Sequence, residues 1–167
     1  MRSLDEQLLR AARTRGHSPT AERAVARFSR LGEHGAVWLA IGWLSVAIDR
    51  QGRPTWRRAT ANVARAYLLN TLLKLLVRRR RPLLESLPAL AGTPTGLSFP
   101  SAHAATSFAG AGGYSRAGLW PRPLYLLAAL LSASRVYLGV HYPSDVLGGA
   151  LLGAALGRGV ERRGAAR

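Results

Sequence analysis

Residues 35–48 read GAVWLAIGWLSVAI and carry no charged side chain. Such a run is either a buried helix or part of a bilayer span, and the rest of the chain decides which. Four further apolar stretches follow: 60–77 (TANVARAYLLNTLLKLLV), 102–114 (AHAATSFAGAGGY), 123–140 (PLYLLAALLSASRVYLGV) and 146–157 (VLGGALLGAALG). A span needs about 20 mostly apolar residues, and each stretch reaches that only with its polar ends counted. Gly148, Gly149 and Gly153 give the last one small residues suited to close helix packing in lipid. Five such segments in 167 residues leave little chain to cover them with polar helices, which disfavours a soluble bundle. The expected fold is all-α: an integral membrane bundle of five or six spans, multi-pass in the cell membrane.

The charges are segregated from this apolar material. Lys and Arg total 24 against 8 acidic residues, a net charge of +16, yet 48% of residues are hydrophobic and mean hydropathy is +0.03. Every basic residue except Lys74 is an arginine. The absence of cysteine removes disulfides, thiolate catalysis and cysteine-based metal sites. Residues 1–31 interleave seven arginines with Leu4, Leu8, Leu9, Val25 and Phe28. Ser3 with Glu6, and Ser18-Pro19 with Glu22, read as helix starts, so this part is expected to form two basic amphipathic helices on the membrane surface. The expected organisation is surface helices at 1–31, a membrane-embedded domain at 32–160 and a basic tail at 161–167. Between Arg78 and Pro100, Pro82, Pro88, Gly92, Pro94 and Gly96 break regular structure, and a loop of that length is usually functional. Arginines divide evenly between the two expected faces, so positive-inside counting leaves orientation open.

An ionisable group at membrane depth costs about 2.5–3.5 kcal/mol even on the lenient insertion scale, so such groups mark function. Between residues 50 and 160 the carboxylates are Glu85 and Asp145, the histidines His103 and His141, and the lysine Lys74. Tyr67, Asn70, Lys74 and Arg81 recur at spacings of 3, 4 and 7, which predicts one helical stripe facing the bundle interior. Three segments lie at span ends that a five-span topology puts on one face: KLLVRRRRP (74–82), FPSAH (99–103) and SRVYLGVHYPSD (134–145). A histidine pair inside a cationic cage, with no cluster of metal-ligand spacing, suits an anionic group, phosphoryl foremost.

The ordered pattern Lys-x6-Arg-Pro, Pro-Ser-x-His and Ser-Arg-x5-His-x3-Asp resembles the type 2 phosphatidic acid phosphatase superfamily. The resemblance spans residues 74 to 145, with Ala102 where the family usually has Gly. It implies that His141 is the nucleophile, that Asp145 orients it, and that His103 is the general acid and then the base. It further implies phosphate binding by Lys74, Arg81, Ser101, Arg135 and the backbone at Ala102, and chemistry without metal or cofactor. The segments LGEHG (31–35), GTPTGLSFPSAH (92–103) and LGVHYPSD (138–145) are similar to small actinobacterial members of that family. Those members dephosphorylate decaprenylphosphoryl-5-phosphoribose, a cell-wall arabinan precursor. On that likeness Glu33 and His34 are expected at the active face, where a sugar hydroxyl would bind, with Asn70 and Arg80 as further substrate-binding candidates.

The partners expected are therefore the bilayer and a membrane lipid phosphate, with no nucleic acid; self-association is compatible with the sequence. Alternative substrates are phosphatidate, phosphatidylglycerol phosphate and undecaprenyl pyrophosphate. A non-catalytic anionic-lipid binder would explain the arginine excess but not Lys74, Arg135 and His141 inside apolar segments.

Overall fold

The structure is a computed structural model in which residues 3–161 are described. Seven α-helices follow in order: α1 (Leu4–Thr14), α2 (Pro19–Arg30), α3 (Ala36–Ile48), α4 (Arg53–Val77), α5 (Ala102–Ala117), α6 (Pro121–Tyr137) and α7 (Pro143–Arg158). No strand occurs among the described residues; an isolated antiparallel bridge joins Arg80 to Leu97. The expected helix starts are present: Ser3 Oγ accepts the Glu6 amide and Ser18 Oγ accepts the Ala21 amide. Pro19, Pro121 and Pro143 sit in the first turns of α2, α6 and α7, where a missing N–H costs nothing.

Helix α5 is the axis of the bundle, buried on nearly all sides by α4, α6 and α7. Its Gly/Ala composition makes this approach feasible, and α7 answers with glycines every fourth residue. A Cβ at Gly149 or Gly153 would collide with the carbonyl oxygens of Ser101 or Ala105, and Gly157 lies against Gly112. Such backbone proximity lets the two helices pack at unusually short distance. Trp38, Trp56, Val63, Tyr114, Leu131 and Val160 fill the core at the other helix faces. Polar groups within this core are paired across helices: Trp38 Nε1 donates to Ser107 Oγ at 2.9 Å and the Tyr114 hydroxyl to the Trp38 carbonyl at 2.7 Å. Asn62, for which the sequence suggests no role, ties α4 to α7 through the Leu156 carbonyl at 2.9 Å.

The five expected segments correspond to α3–α7, but their lengths are modest. At 1.5 Å per residue, α5, α6 and α7 are about 24–26 Å long, shorter than the ~30 Å hydrocarbon core. No single described helix is long and apolar enough to cross a membrane; α2 taken together with the 3₁₀ turn Glu33–Gly35 and α3, bent by 41°, reaches that length and composition as a pair. Large apolar side chains nonetheless point outward from the bundle, among them Ile48, Leu72, Leu76, Leu126, Leu147 and Leu151.

One expected feature is corrected. The stripe through Tyr67, Asn70 and Lys74 does not continue to Arg81, because α4 ends at Val77 and Arg78 turns left-handed (φ 52°). Arg81 reaches the same place by another route: its amide donates to the Gly96 carbonyl, closing the 78–100 loop on itself.

Candidate active site

The C-terminal end of α4 with its loop, the N-terminus of α5, and the α6–α7 turn meet at one end of the bundle. They enclose a cavity of about 390 Å³ lined by Lys74, Arg81, Ala102, His103, Arg135 and His141, with Glu33, His34, Tyr67, Asn70, Thr71 and residues 92–95 at its other walls.

His141 lies in the α6–α7 turn and is buried. Its Nε2 is 3.1 Å from Arg81 Nη1. A guanidinium only donates, so Nε2 is the acceptor and the ring proton is assigned to Nδ1. Nδ1 lies 3.4 Å from Asp145 Oδ2, within ion-pair range of the carboxylate but without a formed hydrogen bond. Burial pushes the His141 pKa down to about 4; Asp145 opposes this, and the charges of Arg81, Lys74 and Arg135 add to it. The free imidazole is thus a neutral base with its lone pair toward the cations.

Asp145 is held on several sides. It occupies the first turn of α7, where Oδ2 accepts the Tyr142 amide at 2.8 Å and so caps its own helix. Its Oδ1 accepts from Arg79 Nη1 at 3.0 Å and from Ser98 Oγ at 3.5 Å. His141, in the turn just before α7, and Asp145, in the first turn of that helix, are four residues apart, and this short separation is why the pair is visible in sequence.

His103 stands in the first turn of α5. Its Nε2 is 3.0 Å from the Ser29 carbonyl, which can only accept, so that nitrogen bears a proton. A Cβ on Gly32 would lie 2.7 Å from His103 Cδ2, so this ring edge faces α2 and the opposite, Nδ1 edge is left for the cavity. Arg135, near the end of α6, donates from Nη1 to Ser29 Oγ at 2.7 Å. Its Nε and Asn70 Oδ1 are buried with no partner among the described residues, while Asn70 Nδ2 donates to the Pro100 carbonyl at 3.0 Å.

Lys74 is differently employed than the sequence suggests. Its ammonium donates to the carbonyls of Pro100 (2.8 Å), Ser98 (3.0 Å) and Leu97 (3.4 Å), which uses all three protons to pin the segment before α5. Its charge still faces the cavity. Arg81 is similarly anchored, by Nε to the Thr95 carbonyl and Nη1 to the Val140 carbonyl. Ser101 is buried and is not a wall of the cavity; its amide donates to the Asp145 carbonyl at 2.9 Å, so it joins α5 to α7. Ala102 does line the cavity, and no side chain caps this helix end, which leaves its first-turn amides open to an anion. Arg80 is exposed, bridged to Leu97 and outside the cavity wall. Glu33 and His34 are at the wall, His34 (φ 52°) with Nδ1 at 2.8 Å from the Tyr67 hydroxyl.

Three contributors carry no signal in the sequence. Ser29 serves both His103 and Arg135 from the end of α2; Arg79 binds Asp145; and Asp5, on α1, binds Arg79 at 2.8 Å. Thr93 and Thr95 were equally silent, although their loop was conspicuous for its prolines and glycines.

The geometry has known counterparts. A decaprenylphosphoryl-5-phosphoribose phosphatase from Mycobacterium tuberculosis is 42% identical over 146 residues, covering 86% of this chain and 81% of the relative. The crystal structure of Aquifex aeolicus LpxE superposes with a TM-score of 0.72 at 27% identity, covering 93% of each chain. A transmembrane PAP2-type phosphatidylglycerolphosphate phosphatase from Bacillus subtilis shares the fold, with a TM-score of 0.74 at 24% identity over 91% of this chain and 80% of the other. The family model of the PAP2 superfamily matches residues 56–163, a range that contains all three motif segments. With more than half of its length inside that match, the chain belongs to the PAP2 superfamily and is a phosphatase.

Proposed function

We propose that this phosphatase is a multi-pass membrane protein of five or six spans that removes the phosphate from a lipid-linked phosphomonoester through a phosphohistidine on His141. The observation that carries this reading is the His141 ring, with Nδ1 toward buried Asp145 and the Nε2 lone pair toward Arg81 at the wall of a cationic cavity.

In the first step Nε2 attacks phosphorus and the bond to the lipid-side oxygen breaks. Arg81 turns its proton from Nε2 to a phosphate oxygen, while Arg135 and the open amides of α5 take other oxygens. The bound dianion supplies the counter-charge that lets His103 carry a second proton, on Nδ1, which passes to the leaving alkoxide. Asp145 stabilises the cationic phosphoimidazole through Nδ1–H, the role of an orienting carboxylate in any nucleophile relay. In the second step a water attacks phosphorus, His103 accepts its proton, and the P–Nε2 bond breaks to release inorganic phosphate. Because phosphoryl transfer needs mainly positioning and charge stabilisation, fixed guanidinium groups supply what a metal supplies elsewhere, and no metal or cofactor is required.

Decaprenylphosphoryl-5-phosphoribose is the substrate we favour. The name of the 42% identical relative supports it, as does the cavity wall: Glu33, His34 and Tyr67 present hydroxyl-binding groups beside the phosphate site. Outward-facing leucines on α4 and α7 fit a site reached from the bilayer. Purified protein would be offered this lipid alongside phosphatidate, phosphatidylglycerol phosphate and undecaprenyl pyrophosphate. Preference for the phosphoribosyl lipid, falling on Glu33→Gln, is expected; equal turnover of all four would remove the sugar-recognition reading. The mechanism is tested with an aryl phosphate. His103→Ala should give a burst of about one equivalent of phenol and then stall with acid-labile phosphate on His141, whereas His141→Ala should give neither. Label on another residue would sink the assignment.

A further inference from the structure

Helices α1 and α2 are expected from sequence to lie on the membrane surface, yet α1 is connected to the centre of the site. The carboxylate of Asp5, in its first turn, accepts from Arg79 Nη2 at 2.8 Å and from the Ser144 amide at 3.0 Å, and bonds the Ser144 hydroxyl. Arg79 is a fork: its Nη1 reaches Ser144 Oγ at 2.6 Å and Asp145 Oδ1 at 3.0 Å, and its guanidinium lies 4.2 Å above the Tyr142 ring. Besides the Tyr142 amide of its own helix turn, Ser98 and His141, the group that holds the Asp145 carboxylate is Arg79. Further along α1, Arg13 is buried and donates to the carbonyls of Pro88 (2.8 Å) and Tyr137 (3.3 Å), fastening the helix across the α6–α7 turn. Leu9 faces inward, while Leu4 and Leu8 face out.

We propose that Arg79 and Asp5 are positioning residues for the phosphoryl-accepting histidine. Arg79 fixes the Asp145 carboxylate, Asp5 fixes Arg79, and α1 is thereby a working part of the active site. The inference rests on the reading of His141 as nucleophile. The physical reason is geometric. Asp145 must present Oδ2 to Nδ1 of His141 while cations crowd the other side of the ring, and the charge-assisted bond from Arg79 Nη1 to Oδ1, with Nη2 held by Asp5, resists rotation of the carboxylate toward Arg81 or Lys74. An isolated Arg79 would be free to swing to solvent; Asp5 and the Tyr142 ring hold it in its fork. Of the four consecutive arginines, Arg79 is the one so placed because the left-handed turn at Arg78 directs the chain across the end of α7.

The test uses the full chain in detergent. Arg79→Met is expected to lower kcat by about 100-fold and Asp5→Asn by about 10-fold, with KM within about twofold, on the scale of charge-assisted hydrogen bonds. Arg79→Lys should recover part of the loss, since an ammonium reaches one carboxylate but cannot fork. Arg78→Asn, a neighbouring charge removed at a left-handed position Asn tolerates, should leave activity unchanged. The decisive readout is coupling: in an Asp145→Asn background, Arg79→Met should cost little more, because its route to the histidine is already cut. If the two losses multiply in full, or if Arg79→Met keeps wild-type kcat, the proposal is wrong. A variant that loses thermal stability is judged by the same cycle among its folded fraction, measured by phosphohistidine formed per folded molecule. Label on His141 in the wild type with no effect of Arg79→Met defeats this inference alone; label elsewhere defeats the reading beneath it.

Discussion

Ser29→Ala is the most informative single change outside the motifs. Ser29 is 2% exposed and its hydroxyl accepts the 2.7 Å bond from Arg135, itself 6% exposed, and lies 3.0 Å from Ser134 Oγ. Alanine leaves a buried guanidinium proton without its acceptor, which costs about 1–3 kcal/mol and more for a charged group. The site recovers part of that cost when an anion binds Arg135, but only if Arg135 stays in place; a guanidinium released from Ser29 has a long stem with which to move. At about 1.4 kcal/mol per tenfold, inhibition by orthovanadate, a phosphate-shaped anion, should weaken by roughly 10-fold. His103 should be spared, because it bonds the Ser29 carbonyl, which alanine keeps. The ratio of aryl phosphate to lipid phosphate turnover, which reports the general acid, should therefore remain as in the wild type. Gly32→Ala is the converse: its Cβ would press on His103 Cδ2 at 2.7 Å, shifting the ratio toward the aryl substrate with vanadate affinity little changed. Wild-type inhibition and melting temperature in Ser29→Ala, or equal disturbance of both readouts in both variants, would refute the division of labour.

Activity should survive strong chelation, since Arg81, Arg135 and Lys74 already surround the phosphate site with fixed charge; complete loss in EDTA with rescue by Mg²⁺ would overturn the mechanism. Gly153→Ala drives a methyl group into the Ala105 carbonyl, so α5 and α7 must separate; a loss of about 1–3 kcal/mol is expected, read as a fall in melting temperature, and an unchanged value would contradict the packing. Stability should also fall as pH drops from 6.5 toward 4. The folded His141 pKa of about 4 lies below its ordinary 6.5, so in that window the unfolded chain binds the proton and the folded one does not. Melting curves of His141→Asn should show a smaller slope there, and an identical slope would remove His141 as its source.

Much of this architecture is written in local pattern. The five apolar segments became α3–α7 because an apolar run bounded by Pro or Gly is a property of neighbouring residues. His141 and Asp145 were legible for a similar reason, being four residues apart across the start of α7, and Asn70 and Lys74 share a face of α4. The tertiary structure alone decided which cation does what. Four arginines in a row are chemically identical in sequence, yet the left-handed Arg78 sends Arg79 to Asp145, Arg80 outward and Arg81 to His141. Lys74 spends its protons on three carbonyls some 23–26 residues away, and Ser29 meets Arg135 across 106. No periodicity encodes such pairings. They exist because α5, rich in glycine and alanine, lets the surrounding helices close until their ends share one cavity, where most buried donors meet an acceptor whatever its distance along the chain.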